Sequence, residues 1–234
     1  MKKNEIIGIA KILTSRPEEA AAYFQKYLMF KAVPGKDTAV QSGSFQVAFC
    51  QCNQPLEKYQ PDAMLCGLRH IAIETDDIAN ALAYCKAHGL KLQTNDDGKP
   101  RFNPKVYGTG LHYFNILTDY GITIEITQKH AGSSLPADQV IWGLGHIGIQ
   151  VPEMESALNF YEGLGFSRDF PPVENETTDG PVQCCMMTKD GITLEIYAFL
   201  NHSNAPKQIS PVFASLTIPG LNRKMQGPGG ELLE

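Results

Sequence analysis

The sequence predicts an α+β protein that is built from tandem βαβββ modules. Two repeated segments carry this prediction. The segment at 67–73, Gly-Leu-Arg-His-Ile-Ala-Ile, returns at 143–149 as Gly-Leu-Gly-His-Ile-Gly-Ile. The segment at 121–126, Gly-Ile-Thr-Ile-Glu-Ile, returns at 191–196 as Gly-Ile-Thr-Leu-Glu-Ile. Such repetition indicates one structural unit that is used more than once.

The first clear copy is predicted over residues 66–130. A strand at 69–74 leads into an acidic helix start, where Thr75 or Asp76 is a candidate N-cap. Apolar residues then recur at helical spacing as far as Cys85, and Gly89 suits the end of the helix. Strands at 90–92, 111–117 and 122–126 follow, with a polar loop at 96–100.

A second clear copy is predicted over residues 142–200. Pro152 marks the helix start and Gly165 corresponds to Gly89. The strands of this copy are predicted at 166–170, 182–187 and 192–197, with a loop at 175–180. Linkers rich in Pro, Gly or Ser at 53–62 and 129–138 separate the copies.

A fainter copy is predicted over residues 1–55, with a strand at 6–13, a helix opened by Ser15 and a closing strand at 45–49. Aligning the helices places Ile9 where the other copies have His, and no Glu occurs at 46–47. The segment at 206–234 contains one further strand pattern at 212–218, the start of an incomplete fourth copy. The first module is therefore expected to pair with this segment, to cover the sheet of the two clear copies, or to associate with its copy in a homodimer.

Composition excludes several classes of protein. The net charge is −5 and no run of Lys or Arg occurs, which argues against a nucleic-acid partner. No apolar stretch reaches the length of a membrane span, and Lys11 interrupts the short apolar run at 6–10, so no export signal is predicted. The six cysteines form no C-x-x-C pair, so free thiols and a cytoplasmic location are expected.

The candidate chemistry lies in the repeated positions. His70 and His146 occupy the first strand of the two clear copies, and Glu125 and Glu195 occupy the last. A single His in an apolar strand is more often a core residue, and a Glu between isoleucines fits a half-buried strand. Two imidazoles and two carboxylates in matching positions are instead typical of a divalent metal site.

These residues resemble the vicinal oxygen chelate superfamily, which contains glyoxalase, bleomycin resistance and extradiol dioxygenase proteins. The resemblance is strong over 67–197 and weak over 6–52. It implies that paired βαβββ modules form a cupped, barrel-like mixed sheet around one divalent metal ion (Ni, Co, Zn, Mn or Fe), held here by His70, Glu125, His146 and Glu195. This ligand set is similar to that of glyoxalase I, whereas extradiol dioxygenases use two His and one Glu.

The resemblance also implies a lyase or isomerase that acts on a small molecule with vicinal oxygens, through a metal-stabilised enediolate. By position, Glu195 is the candidate base and Glu125 the proton relay on the opposite face. His112 and Arg101 are candidate substrate-binding residues, although a core, solvent-facing or solvated role is open for both. Two alternatives also stay open: a non-catalytic small-molecule binding protein of the resistance type, and an iron-dependent ring-cleaving dioxygenase.

Overall fold

A computed structural model describes residues 6, 8–53, 65–129, 140–141, 143–177, 180–202, 208–209 and 212–234. The predicted linkers at 53–62 and 129–138 lie almost entirely outside these residues. Strands predominate in the described part, and they alternate with three helices, which confirms the predicted α+β class.

The helices are α1 (Pro17–Tyr27), α2 (Ile78–Ala87) and α3 (Met154–Gly163). The N-cap of α2 is Asp77, whose side chain accepts a hydrogen bond from the backbone N–H of Asn80, one residue beyond the predicted candidates. Glu153 caps α3 by accepting from two backbone N–H groups of the first turn. Within the described residues, no helix is long and apolar enough to cross a membrane.

The described strands fall into three groups along the chain. The first module contributes β1 (Gly8–Thr14), β2 (Lys31–Val33), β3 (Lys36–Ser42) and β4 (Phe45–Gln51). The second contributes β5 (Leu65–Glu74), β6 (Leu92–Gln93), β7 (Arg101–Asn103), β8 (Leu111–Leu117) and β9 (Thr123–Lys129). The remainder are β10 (Leu144–Gln150), β11 (Ser167–Arg168), β12 (Val173–Thr177), β13 (Gly180–Lys189), β14 (Ile192–Phe199), β15 (Gln208–Ile209), β16 (Phe213–Leu216), β17 (Met225–Gln226) and β18 (Leu232–Leu233).

These strands form two mixed sheets, neither of which closes into a barrel in the described part. One has the order β17-β18-β16-β1-β4-β3-β2, and the other has the order β11-β13-β14-β10-β5-β9-β8-β6. The first module thus pairs with the C-terminal segment, through antiparallel β1 and β16. This pairing selects one of the three expected arrangements and leaves the homodimer an untested prediction.

A single large apolar cluster joins both sheets to the helices. Its fully buried members include Phe24 on α1, Phe114 on β8 and Tyr161 on α3. Hydrophobic burial of these side chains therefore packs the helices against the strands of the sheets.

One predicted loop is a strand. The loop predicted at 175–180 was wrong over 175–177, because Val173–Thr177 forms β12 and pairs antiparallel with β13. Residues 178–179 of that predicted loop lie outside the described residues. The residues of β12 alternate between half-buried and exposed, and two of them are glutamates. A polar edge strand of this kind lacks the apolar alternation by which strands are recognised in a sequence.

Candidate metal centre

Two β-bulges position the histidines of the candidate site. β5 and β10 pair antiparallel, with Gly148 opposite His70 and His146 opposite Ala72. The register shifts by one residue immediately before each histidine, so Arg69 is the extra residue on β5 and Gly145 the extra residue on β10. A bulge bends its strand and re-aims the neighbouring side chain, and here both imidazoles turn toward the same point of the sheet.

Gly148 provides the space that His70 needs. A Cβ atom at position 148 would lie 2.0 Å from Cε1 of the His70 ring, inside any permitted contact distance. The backbone of β10 therefore approaches the imidazole face more closely than a side chain would allow. In the second clear copy of the repeated segment, this glycine stands two residues after His146.

The donor atoms of three predicted ligands converge. Nε2 of His70 lies 3.3 Å from Nε2 of His146 and 3.2 Å from Oε2 of Glu195, and the three residues place their donors within 4.8 Å of one another. Bonds of about 2.0–2.2 Å to one ion would separate neighbouring donors by about 2.8–3.6 Å. The spacing and the mixed nitrogen and oxygen donors therefore fit a divalent metal.

Glu125 lies beside this group rather than within it. Its Oε1 is 3.4 Å from Nε2 of His146, which is also 3.6 Å from Oε2 of Glu195. Glu125 reaches the site from β9, which pairs in parallel with β5 and places Glu125 opposite Ala72. Glu195 reaches it from β14, opposite Gly148 of β10. The two carboxylates thus approach the histidines from strands on opposite sides.

The charged groups of the site shift one another's pKa values. Burial alone would lower the pKa of His146, but hydrogen bonds and negative charge from Glu125 and Glu195 raise that pKa to about 9. Burial would likewise raise the pKa of Glu195, but hydrogen bonds and charge from His146 and His70 hold it well below its usual value. A buried site with two carboxylates needs a cation, and a proton on the imidazole supplies it in the absence of metal.

Except for the buried His146, the four predicted ligands line a cavity of about 380 Å³. The walls of the cavity come from both modules and include β7, the 3₁₀ turn at Val106–Gly108, and β12 with β13. Nζ of Lys105 donates a hydrogen bond to the carbonyl oxygen of Glu174, which joins the two walls.

The two predicted substrate-binding residues lie in different places. Arg101 lines the cavity, and its guanidinium carbon is 6.0 Å from the centre of the Tyr113 ring. His112 is not among the lining residues. Its ring stacks on Phe102 with a centroid separation of 4.4 Å, and Phe102 itself lines the cavity.

The structure adds cavity residues that the sequence analysis did not single out. Tyr197 lies near His70, with ring centroids 6.1 Å apart and an interplanar angle of 28°, and burial raises the pKa of its hydroxyl. Tyr197 stands two residues after Glu195, so the alternation of a strand was enough to predict its face. Cys184 also lines the cavity, whereas Cys185 is in the core. Other lining residues are Asn103, Asn115 and Asn175.

Comparisons with known proteins agree with this architecture. The family model described as the Glyoxalase/Bleomycin resistance protein/Dioxygenase superfamily matches residues 6–126, more than half of the chain. The crystal structure of glyoxalase I from Zea mays is similar in fold, with a TM-score of 0.63, 16% sequence identity, and coverage of 98% of this chain and 90% of that chain. A putative dioxygenase from Bacillus subtilis subsp. subtilis str. 168 has a TM-score of 0.55 and 12% identity, covering 93% of this chain and 70% of that chain. No curated protein matches the sequence.

Proposed function

We propose, because this chain belongs to the Glyoxalase/Bleomycin resistance protein/Dioxygenase superfamily, that it is a divalent-metal-dependent lyase or isomerase resembling glyoxalase I. The observation that carries the proposal is the convergence of donor atoms from His70, His146 and Glu195, of which His70 and Glu195 line the cavity. Paired imidazole and carboxylate donors on adjoining strands form a rigid site that is open on the cavity side.

One divalent ion would be held by His70, His146 and Glu195, with Glu125 as the fourth ligand. Imidazole nitrogens and carboxylate oxygens suit Zn, Ni, Co, Mn or Fe, and the donor set alone does not choose between them. When bound, the ion would act as a Lewis acid that polarises a substrate carbonyl.

Glu195 is the proposed base. It faces the cavity, and the two histidines keep its carboxylate ionised, so that an oxygen can accept a proton from the carbon next to the substrate carbonyl. Glu125 faces the same cavity from β9 and is proposed to return a proton on the opposite face of the substrate. Removal on one face and return on the other would complete an isomerisation.

The proposed substrate is a small molecule with vicinal oxygens. Arg101 and Lys105 place positive charge in the wall of the cavity, where an anionic substrate group would be attracted. His112 contributes to this wall through its stacking on Phe102. We further propose that the protein acts in the cytoplasm, without a nucleic-acid or membrane partner, and that it forms a homodimer.

The decisive experiment begins with the metal content of protein that was purified without chelators. Turnover of methylglyoxal with glutathione is then compared among the wild type, Glu195→Gln and the control Glu74→Gln. Glu74 is a half-buried carboxylate on β5 that pairs with Lys129 and does not line the cavity. We expect bound metal, and activity that is lost only in Glu195→Gln.

Other results would change the proposal. Equal turnover in Glu195→Gln and the wild type would remove Glu195 as the base. Bound metal with substrate binding but no turnover would indicate the non-catalytic binding protein, and oxygen consumption with bound iron would indicate the dioxygenase. Absence of any bound divalent ion would contradict both enzyme assignments.

A further inference from the structure

The last described strand repeats the motif that carries Glu195. Residues 230–234 read Gly-Glu-Leu-Leu-Glu, and residues 191–195 read Gly-Ile-Thr-Leu-Glu. Both motifs begin with a glycine of positive φ, Gly230 at 88° and Gly191 at 83°. Glu195 lies on β14, and Glu234 directly follows β18, which has the corresponding place in its own sheet. Glu234 is therefore the counterpart of Glu195.

The strand orders of the two sheets confirm this correspondence. In one sheet β14 and β9 flank the antiparallel pair of β10 and β5, and in the other β18 and β4 flank the antiparallel pair of β16 and β1. All four flanking pairs are parallel. The stretch between β16 and β17 contains no helix, whereas α3 follows β10. The second sheet thus has the plan of the first cup with one helix missing.

The register identifies the counterpart of His146. Lys11 pairs with Ser215 as Ala72 pairs with His146. Ala214 is the extra residue of a bulge just before Ser215, as Gly145 is just before His146. The hydroxyl of Ser215 donates a 2.7 Å hydrogen bond to Oε1 of Glu234. Ser215 is thus related to Glu234 as His146 is to Glu195.

Three of the four metal ligands are replaced in this second cup. Ser215 occupies the position that corresponds to His146. Ile9 occupies the position that corresponds to His70, because each of these two residues lies eight residues before the start of the helix that follows it. Ala48 stands for Glu125, because Ala48 pairs with Lys11 as Glu125 pairs with Ala72. When only one carboxylate of the four ligands is left, the residues do not form a divalent metal site. The remaining carboxylate still requires a positive partner, because it is largely buried.

Lys11 supplies that partner from the centre of the sheet. Its Nζ donates a hydrogen bond to Oε1 of Glu234, and Nζ of Lys224 lies 3.1 Å from Oε2 of the same carboxylate. The Lys11 hydrogen bond, together with that from Ser215, lowers the pKa of Glu234 to about 2, so the carboxylate stays ionised. Lys11 extends from β1, whereas Glu234 follows β18, so the ion pair links the first module to the C-terminal segment.

We infer that the second sheet is a metal-free copy of the cup, in which the ammonium group of Lys11 replaces the metal cation and fastens the C-terminal segment to the first module. The chain consequently has one metal centre and one internal ion pair at equivalent places. The first module, which lacks ligands, acts as the structural half of this second cup.

A double-mutant cycle tests the inference on protein from which metal has been removed by a chelator. Lys11→Met and Glu234→Gln are each expected to lower the unfolding midpoint by about 2–4 °C. The double variant should lose no more than the larger single loss, because either change removes the same interaction. Lys11→Arg keeps the charge and should unfold within about 1 °C of the wild type.

The matched control is the exposed ion pair of Lys91 and Asp119, for which Lys91→Met should leave the midpoint unchanged. Additive losses in the Lys11 and Glu234 cycle, or no loss in either single variant, would overturn the inference. A second measurement, which rests on the proposed function, is the number of metal ions bound per chain. One ion per chain is expected, and two ions per chain would overturn the inference. Absence of metal would contradict the proposed function and leave the unfolding result intact.

Discussion

The Nε2 atoms of His70 and His146 lie 3.3 Å apart, although 76 positions of sequence separate the two residues. Antiparallel pairing of β5 with β10 brings the strands together, and one bulge on each strand turns its histidine toward the other. The same pairing between β1 and β16 places Lys11 opposite Ser215 in the second cup. A single backbone plan thus accommodates a metal donor set in one sheet and an ion pair in the other.

The space beside His70 gives the first prediction. Gly148→Ala would place a methyl group 2.0 Å from Cε1 of the imidazole, so the ring must move and its Nε2 must leave the donor cluster. We expect the metal affinity to fall at least tenfold, because a misplaced ligand loses most of its bond. Equilibrium competition with a chromogenic chelator measures this affinity.

Gly163→Ala is the matched control for that variant. Gly163 lies on α3, has an ordinary helical φ, and a Cβ there meets no atom within 4 Å. Its metal affinity should equal that of the wild type. Unchanged affinity in Gly148→Ala would show that His70 is not a ligand.

Protons and metal are expected to compete for the donor set. The pKa of His146 is raised to about 9 in the metal-free protein, so metal binding must displace a proton at neutral pH. The affinity should therefore rise by about tenfold per pH unit up to about pH 9 and then level off. Titrations between pH 6 and 10 measure the slope, and a flat profile would contradict the assigned charge state.

Most of the candidate metal centre could be predicted from the sequence because two copies retain the same His and Glu. Repetition distinguishes His70 and Glu195 from ordinary residues of an apolar strand. The cavity wall was harder to predict, because β12 consists of polar edge residues. The pairing of β1 with β16 stayed one of three alternatives, because a short strand pattern in a sequence does not show which strand it pairs with or in what register. The sequence similarity between 230–234 and 191–195 is short, and the strand pairing is what places Glu234 at the position of Glu195.

Arg101 and His112 should differ in their effect on substrate binding. Arg101→Met removes a charge from the cavity wall and should raise KM about tenfold for an anionic substrate, with little change in kcat. His112→Ala removes only the ring that stacks on Phe102 and should raise KM less than about threefold. Steady-state kinetics on both variants test the difference, and the reverse order of effects would assign the contact to His112.

The last prediction concerns the buried carboxyl group of Glu231. Oε1 accepts a hydrogen bond from the hydroxyl of Tyr161, whereas Oε2 is buried and has no hydrogen-bond partner among the described residues. Burial raises the pKa of Glu231 above its usual value of 4.5, despite the hydrogen bond from Tyr161. The neutral form is therefore favoured by folding, and ionisation destabilises the fold.

A raised folded-state pKa fixes the direction of the pH dependence. The contribution of Glu231 to stability is complete below about pH 4.5, its unfolded value, and is lost as the pH rises through the folded-state value. Glu231→Gln cannot ionise, so its unfolding midpoint relative to the wild type should rise between pH 4 and 8. Tyr161→Phe, which removes the hydrogen bond to Oε1 and leaves the carboxyl group, is expected to be less stable by roughly 1 kcal/mol. A difference between Glu231→Gln and the wild type that is constant with pH would show that Glu231 is ionised in the folded protein.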